Sequence, residues 1–192
     1  TSSGDVLLVP PGTPASQAES GGPPNPTAVI GAYSFCNRGK SGENQDSYVA
    51  SSSSSGSKVL LGVFDGHGEQ GKCVSQFACD EIARTLFAHK DLHTSPASAL
   101  KAAYLHAQAL IEQTHTFDAY HSGTTAVAAY LHRNRLYVAN VGDSRAVLGC
   151  RQGPDGALRA VDLSSDQRPD REDERRRILA QGGAIHPSGA AR

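Results

Sequence analysis

The sequence predicts an α+β domain in which an antiparallel β-sheet is backed by helices. Its apolar patterns come in the order strands, two helices, strands and a helix, whereas a parallel sheet needs strands and helices that alternate. The longest apolar runs have the length of a strand and not that of a membrane-spanning helix. With 192 residues, 38% of them hydrophobic, the chain is long enough to bury one core without a disulfide or a structural metal.

Most of the ten prolines lie in residues 1–27, among glycine, serine and threonine. This composition is typical of segments that bury too little apolar surface to fold. We therefore expect a disordered leader over residues 1–27 and a folded domain over residues 28–192.

The first strand patterns open the domain. Residues 28–35 form a strand-like apolar run, and a shorter strand is expected at residues 47–50, followed by a loop at residues 51–55. Residues 58–65 are apolar almost throughout and end at Asp65. Such a run is typical of a buried strand that brings polar residues to its end.

Two helical patterns follow. The first carries apolar residues at three- and four-residue spacing, which predicts one face against a core. The second begins at Ser95 and Pro96, a favoured N-cap and first helical residue, and we expect it to be antiparallel to the first. The residues expected to face inward are Val74, Phe77, Ala78, Ile82, Thr85 and Leu86, then Leu100, Ala103, Tyr104, Ala107, Leu110 and Ile111.

Three strand patterns come next, at residues 124–131, 136–141 and 145–150. The short turns between them predict an antiparallel meander. The last elements are a weaker strand at residues 158–163 and a charged helix at residues 171–180, which Gly182 and Gly183 end.

The net charge and the cysteine content bear on the binding partners and on the cellular compartment. A formal net charge of −1 gives no attraction to nucleic acid or to anionic membranes, so neither is expected to bind. The four cysteines form no CxxC pair, which is ordinary in a reducing compartment. We expect a soluble monomer inside the cell, in the cytoplasm, the nucleus or both.

The segment Asp65-Gly66-His67-Gly68 is the sharpest chemical feature. It combines a carboxylate at a strand end, a glycine whose bare backbone lets its carbonyl approach a cation, and an imidazole, which together suggest a metal and an acid. The same four residues also suit a turn in which Asp65 caps the next helix and the glycines adopt positive φ. Both interpretations stay open on these residues alone.

Two further polar clusters contain an aspartate each. Residues 42–46 end at Asp46, which would lie near Asp65 if the two strands were neighbours, and hard cations bind several oxygens. Residues 142–145 contain Asp143. An ordinary turn explains the first cluster, and a Gly-Asp hairpin turn explains the second, without any function.

Five segments, taken together and in order, resemble one family, the PPM-type or protein phosphatase 2C family. The resemblance spans about residues 28–186. It implies a central β-sandwich flanked by helix pairs, and a metal-dependent phosphatase that acts on phosphoserine and phosphothreonine in proteins. It also implies two Mg²⁺ or Mn²⁺ ions in a cleft at one end of the sheets. The segments are ENQDSY (43–48), GVFDGHGEQG (62–71), SGTTAV (122–127), YVANVGDSRAVL (137–148) and residues 162–183.

The resemblance also assigns roles to residues of the three polar clusters. Asp65 would bridge the two ions, the carbonyl of Gly66 would bind one of them, and Asp46 would hold metal-bound water. Asp143 matches the position of a weaker third ion. His67 matches the general acid that protonates the leaving serine or threonine oxygen.

The sequence departs from the family pattern in three places. Gln45 stands where many members have a glutamate, and Ser41 where some have a phosphate-binding arginine, for which Lys40 or Arg38 is the candidate substitute. Family members also continue with further strands and acidic residues beyond the position of residue 192. We therefore expect the sandwich and the metal site to be incomplete at the C-terminus.

These departures leave a second function open, that of a truncated, non-catalytic module that binds phosphoproteins. A small-molecule metallohydrolase is disfavoured, because the resemblance runs through scaffold motifs and not only through Asp65 and His67.

Overall fold

The structure is a computed structural model that describes residues 5–8, 30–34, 42–52, 58–132, 134–152 and 156–185. Its elements, in chain order, are β1 Asp5–Leu8, β2 Ser47–Ser52, β3 Lys58–Phe64, β4 Gly66–His67, α1 Gly71–Ala88, α2 Pro96–Gln113, β5 Gly123–Thr124, β6 Ala126–His132, β7 Arg135–Val141, β8 Val147–Gln152, β9 Ala157–Asp162 and α3 Glu172–Ala180.

The centre of the fold is a five-stranded antiparallel sheet with the strand order β1-β7-β6-β3-β2. Strand β3 pairs with β2 on one side and with β6 on the other. A tight turn at Asn134, which has a φ of 61°, links β6 to β7. Sheet and helices form separate layers, which confirms the predicted α+β class.

Helices α1 and α2 pack together on one face of this sheet. Their buried residues meet Leu60, Phe64 and Tyr130 from the strands in one apolar cluster. The first turn of α2 follows Ser95 and contains Pro96, as predicted. None of the helices in the described part of the chain has the length and apolar character that a membrane crossing requires. The buried helix residues include Val74, Ala78, Cys79, Ile82, Leu86, Ala99, Leu100, Ala103 and Ala107.

The strand predicted at residues 58–65 is present as β3, but it is buried on one face only, because the opposite face of the sheet is only partly covered. Leu60 and Phe64 are fully buried beneath the helices, whereas Leu61 is 41% and Val63 is 49% exposed. Side chains alternate between the two faces of a strand. On the outer face, the described residues supply a small cluster around Val127, Val138 and Leu163.

The third strand of the predicted meander leaves the sheet. Strand β8 pairs with β9 in a separate two-stranded ribbon, so the hairpin predicted at residues 142–144 is wrong. The physical reason is that both edges of β7 are already taken, by β6 and by β1. The turn is instead held by Gln167, whose side chain accepts from the Gly142 amide at 3.0 Å.

Strand β1 corrects the expectation of disorder for four residues of the leader. Asp5–Leu8 pairs with β7 in antiparallel register. Because β7 would otherwise present an unpaired edge, even a short apolar run can be ordered by adding to it. The other residues of the predicted 1–27 leader lie outside the described residues.

The strand predicted at residues 28–35 is not found where the structure describes it. Residues 30–34 have no regular structure, and Tyr33 is 86% exposed. An apolar run becomes a strand only where its backbone groups join a ladder, and the sheets of the described part of the chain do not include residues 30–34.

Helix α3 ends as the sequence predicts. Gly182 has a φ of +79°, a conformation that favours glycine. The Gly183 amide donates to the carbonyl of Ile178 at 2.9 Å. This contact satisfies a carbonyl of the last turn that has no partner within the helix.

Two core tyrosines provide a matched test of the packing. The hydroxyl of Tyr130 is buried with no hydrogen-bond partner in the described residues, whereas that of Tyr104 donates to the Ala139 carbonyl at 3.2 Å. We expect Tyr130→Phe to raise the free energy of unfolding, because an unsatisfied buried hydroxyl costs about 1–3 kcal/mol. Tyr104→Phe should lower it by about 1 kcal/mol. Urea unfolding of both variants measures these changes, and equal destabilisation by the two would contradict this account.

Candidate metal centre

Asp46 and Asp65 meet at one end of the sheet. Strand β2 begins directly after Asp46, and β3 ends directly before Asp65. The antiparallel register pairs Ser47 with Phe64, so the two aspartates leave the ladder side by side. Their side chains are close enough for the charge of Asp46 to raise the pKa of Asp65, in addition to the larger effect of burial. The strands are therefore the neighbours that the sequence argument required.

The turn that carries Asp143 is tied to Asp65 through Thr125. The Thr125 amide donates to the Asp65 carbonyl at 2.9 Å, and the Asp65 amide donates to the Thr125 hydroxyl at 3.0 Å. The same hydroxyl lies 2.6 Å from that of Ser144. Asp143 lies in the turn after β7, and the residue that follows it, Ser144, is held near the end of β3 through Thr125.

The electrostatics of Asp65 reflect this convergence. Burial raises the pKa of Asp65 most, and the negative charges of Asp46 and Asp143 raise it further, while His67 lowers it. Ionised carboxylates that lie close together repel each other. A cation in the same place would neutralise both charges.

Gly66 is needed for a close backbone approach. A Cβ atom at Gly66 would lie 2.6 Å from the carbonyl oxygen of Gln45 and closer still to that of Gly71. Two parts of the turn interpretation of this segment are wrong. The N-cap of α1 is Gln70, without a side-chain cap bond, so Asp65 does not cap the helix. Of the two glycines, only Gly68 has a positive φ, +86°.

His67 stands beside the carboxylates on the short strand β4. Its backbone pairs with Gly123 of β5, and its ring lies so close that a Cβ at Gly123 would meet Nε2 at 2.6 Å. The residue is exposed. It also lines a cavity of about 290 Å³ bordered by both long helices and the sheet. The imidazole is thus packed on one side and accessible on another.

Gln45 has a role that sequence reasoning missed. Its side-chain amide donates to the Gly68 carbonyl at 2.7 Å. A glutamate could not make this contact, because an ionised carboxylate has no proton to donate. Gln45 therefore links the turn before β2 to the turn before α1. The departure from glutamate at this position was the signal that could have identified the role.

Lys72 and Ser75 were also missed. Lys72 Nζ donates to the Asp46 carbonyl at 2.6 Å, and the Ser75 hydroxyl donates to the Gln45 carbonyl at 2.5 Å. Ser75 is fully buried. A serine beside Val74 in an otherwise apolar helix stripe was the signal that could have identified it.

The residues present fit a hard divalent cation. In the parts of the chain that are described, no three or more His, Cys, Asp or Glu side chains converge closely enough to hold one metal together. The carboxylates of Asp46 and Asp65 lie close together, however, and Mg²⁺ is usually held by one or two carboxylates while it keeps several waters. Arg38, Lys40 and Ser41, the candidates for phosphate binding, lie outside the described residues.

The chain is similar in sequence to proteins of one known family. Residues 33–191 match the family described as Protein phosphatase 2C. The chain is 40% identical over 141 residues to "Probable protein phosphatase 2C 22" of Arabidopsis thaliana, a match that covers 73% of this chain and 34% of that protein. The chain thus spans about a third of the length of this curated relative.

Two solved structures share the fold. The crystal structure of serine-threonine phosphatase 2C from Toxoplasma gondii matches with a TM-score of 0.61 at 21% identity, over 73% of this chain and 51% of that one. The catalytic domain of the serine threonine protein phosphatase PstP, in complex with 2 manganese ions, matches with a TM-score of 0.50 at 24% identity, over 73% and 54%. At these identities the similarity concerns the fold alone.

The close approach at Gly66 can be tested by adding one methyl group. We expect Gly66→Ala to lower the free energy of unfolding by about 3 kcal/mol or more, because the new Cβ meets backbone on two sides and neither side can move freely. Gly149→Ala in β8 is the control, since nothing lies within 4 Å of its Cβ. Thermal unfolding of both variants measures the difference. A Gly66→Ala protein as stable as the Gly149→Ala protein would show that the two turns are not in contact.

Proposed function

This chain belongs to the protein phosphatase 2C family, and from that membership we propose that it is part of a metal-dependent enzyme that removes phosphate from serine and threonine in proteins. The observation that carries the proposal is the pair of neighbouring carboxylates, Asp46 and Asp65, beside an accessible imidazole at the end of a sheet. Since the chain spans 34% of the curated relative described above, the activity is proposed for the protein that contains it.

The proposed cation ligands are Asp46, Asp65 and the carbonyl of Gly66, with Asp143 at a weaker third position. The cofactor would be two ions of Mg²⁺ or Mn²⁺. The two manganese ions in the PstP complex support this choice by analogy of fold. When bound, such ions supply Lewis acidity toward water and toward phosphoryl oxygens. The carboxylates supply the negative charge that selects a hard cation.

His67 is the proposed general acid. Its ring is held by β4–β5 pairing and by contact with Gly123, and its exposure leaves room for a substrate. In this role the protonated imidazole donates a proton to the serine or threonine oxygen as the phosphorus–oxygen bond breaks. Such proton transfer typically contributes 10²- to 10⁴-fold to the rate. The substrates would be phosphorylated proteins.

A phosphoprotein-binding module without catalysis is the second candidate. One observation favours it: among the described residues, no group of three ligating side chains is close enough to hold a single metal. A site with two carboxylates would bind cations weakly, and the bound cations would still attract a phosphate group. Hydrolysis separates the two candidates.

The first experiment removes a ligand and the metal. We expect the full-length protein to hydrolyse a phosphothreonine peptide with Mn²⁺, and Asp65→Asn to lower kcat/KM at least about 100-fold, because the ligand pair is broken. A chelator should abolish activity and added Mn²⁺ should restore it. An active Asp65→Asn protein would contradict the proposed site. Peptide binding without hydrolysis in the wild-type protein would favour the binding module.

The second experiment tests general acid catalysis by His67 with two substrates whose leaving groups differ in their need for a proton. His67→Asn should lower kcat for the phosphothreonine peptide by about 10²- to 10⁴-fold. It should change kcat little for p-nitrophenyl phosphate, because the nitrophenolate leaves without being protonated. His106→Asn is the matched control, since His106 is an exposed residue of α2. Equal losses on both substrates would exclude general acid catalysis by His67.

A further inference from the structure

A polar network joins the first turn of α1 to the start of β2. Lys72 Nζ donates to the Asp46 carbonyl at 2.6 Å and to the Ser47 hydroxyl at 3.1 Å. The hydroxyls of Ser47 and Ser75 lie 2.9 Å apart, and Ser75 in turn donates to the Gln45 carbonyl. The helix therefore holds the main-chain carbonyl on each side of the Asp46 Cα, that of Gln45 before it and that of Asp46 after it.

The two serine hydroxyls of this network are buried. Ser47 is 3% exposed and Ser75 is fully buried, and burying hydroxyls costs free energy unless each finds a partner. An ammonium group beside them carries a still larger desolvation cost. Each of these groups has a hydrogen bond, so this arrangement is well specified.

The ammonium of Lys72 contacts the main chain of Asp46. The two hydrogen bonds that Nζ donates go to the Asp46 carbonyl and to the Ser47 hydroxyl. The Asp46 carboxylate itself lies near Asp65, where its charge adds to burial in raising the pKa of Asp65. Lys72 thus fixes the backbone of Asp46, from which the side chain extends, and leaves the two carboxylate oxygens of Asp46 available to a cation. Groups that orient a metal ligand in this way typically change metal affinity 10- to 100-fold when they are removed.

We propose that Lys72 is a positioning residue that holds Asp46 against Asp65 and thereby sets the affinity of the site for divalent cations. The inference rests on the proposed function, because it takes the two aspartates as cation ligands.

The sign of the effect distinguishes positioning from simple electrostatics. A positive charge near a cation site repels the cation, so the loss of the Lys72 charge should by itself strengthen binding. The loss of an anchor should weaken binding, because Asp46 would then have to be ordered by the cation itself. The two effects have opposite directions, and positioning predicts that weakening wins.

The experiment is an Mn²⁺ titration by calorimetry of the full-length protein and three variants. We expect Lys72→Met to weaken Mn²⁺ binding about 10- to 100-fold, and Lys72→Arg, which keeps a cationic donor, to bind within a few-fold of the wild type. Lys90→Met is the control, because it removes the same charge from an exposed residue beyond the other end of α1, roughly 25 Å away. Unchanged or tighter Mn²⁺ binding by Lys72→Met would overturn the proposal.

Hydrogen exchange without metal provides an independent readout. Lys72→Met should speed amide exchange in residues 42–50 while Ala126–His132 of β6 keeps its rate. No change in residues 42–50, or an equal rise in both segments, would refute local anchoring by Lys72. Failure of the wild-type protein to bind Mn²⁺ would instead contradict the proposed function, and the exchange rates would still decide whether Lys72 anchors Asp46.

Discussion

The constraint on which the structure depends is the proximity of two carboxylates that repel each other when ionised. Asp46 and Asp65 are side by side because β2 and β3 pair with Ser47 opposite Phe64. Burial raises the pKa of Asp65 most, and the nearby charge of Asp46 raises it further. A sheet ladder alone would let the strand ends fray and the charges separate. The neighbouring turns prevent this, because Gln45 is bonded to the Gly68 carbonyl and Gly66 allows those turns to touch.

The third aspartate depends on a longer chain of contacts. Arg145 forms two hydrogen bonds of 2.8 Å with the Asp166 carboxylate, which lowers the pKa of Asp166. Arg171 donates to the Asp166 carbonyl at 2.6 Å. Exposed ion pairs contribute little to stability, so their consequence is geometric. They connect the segment before α3 to the turn that carries Asp143, and the position of Asp143 therefore depends on residues well beyond β7.

Much of this fold follows from local patterns in the sequence, and the exceptions share a cause. Helices α1 and α2 and strand β6 lie close to where periodicity predicts them, because each buries one face on a neighbour. The pairing of β8 with β9 and the addition of β1 to β7 could not be predicted from local patterns. Which strand pairs with a free sheet edge depends on strands that are far apart in the sequence and compete for that edge. Likewise Asp65 is visible in its motif, whereas Lys72 acts through a backbone carbonyl that no motif records.

The chemistry of the anchors explains how the site can stay negatively charged. Gln45, Ser75 and Thr125 are neutral, and each bonds to main-chain atoms near the carboxylates. The cation Lys72 also bonds to the Asp46 carbonyl and leaves its carboxylate alone. A lysine or arginine paired directly with Asp46 would have stabilised the fold more and removed the charge that attracts a divalent ion. The arrangement therefore gives up some stability in the absence of metal, and a bound cation would restore it by mass action.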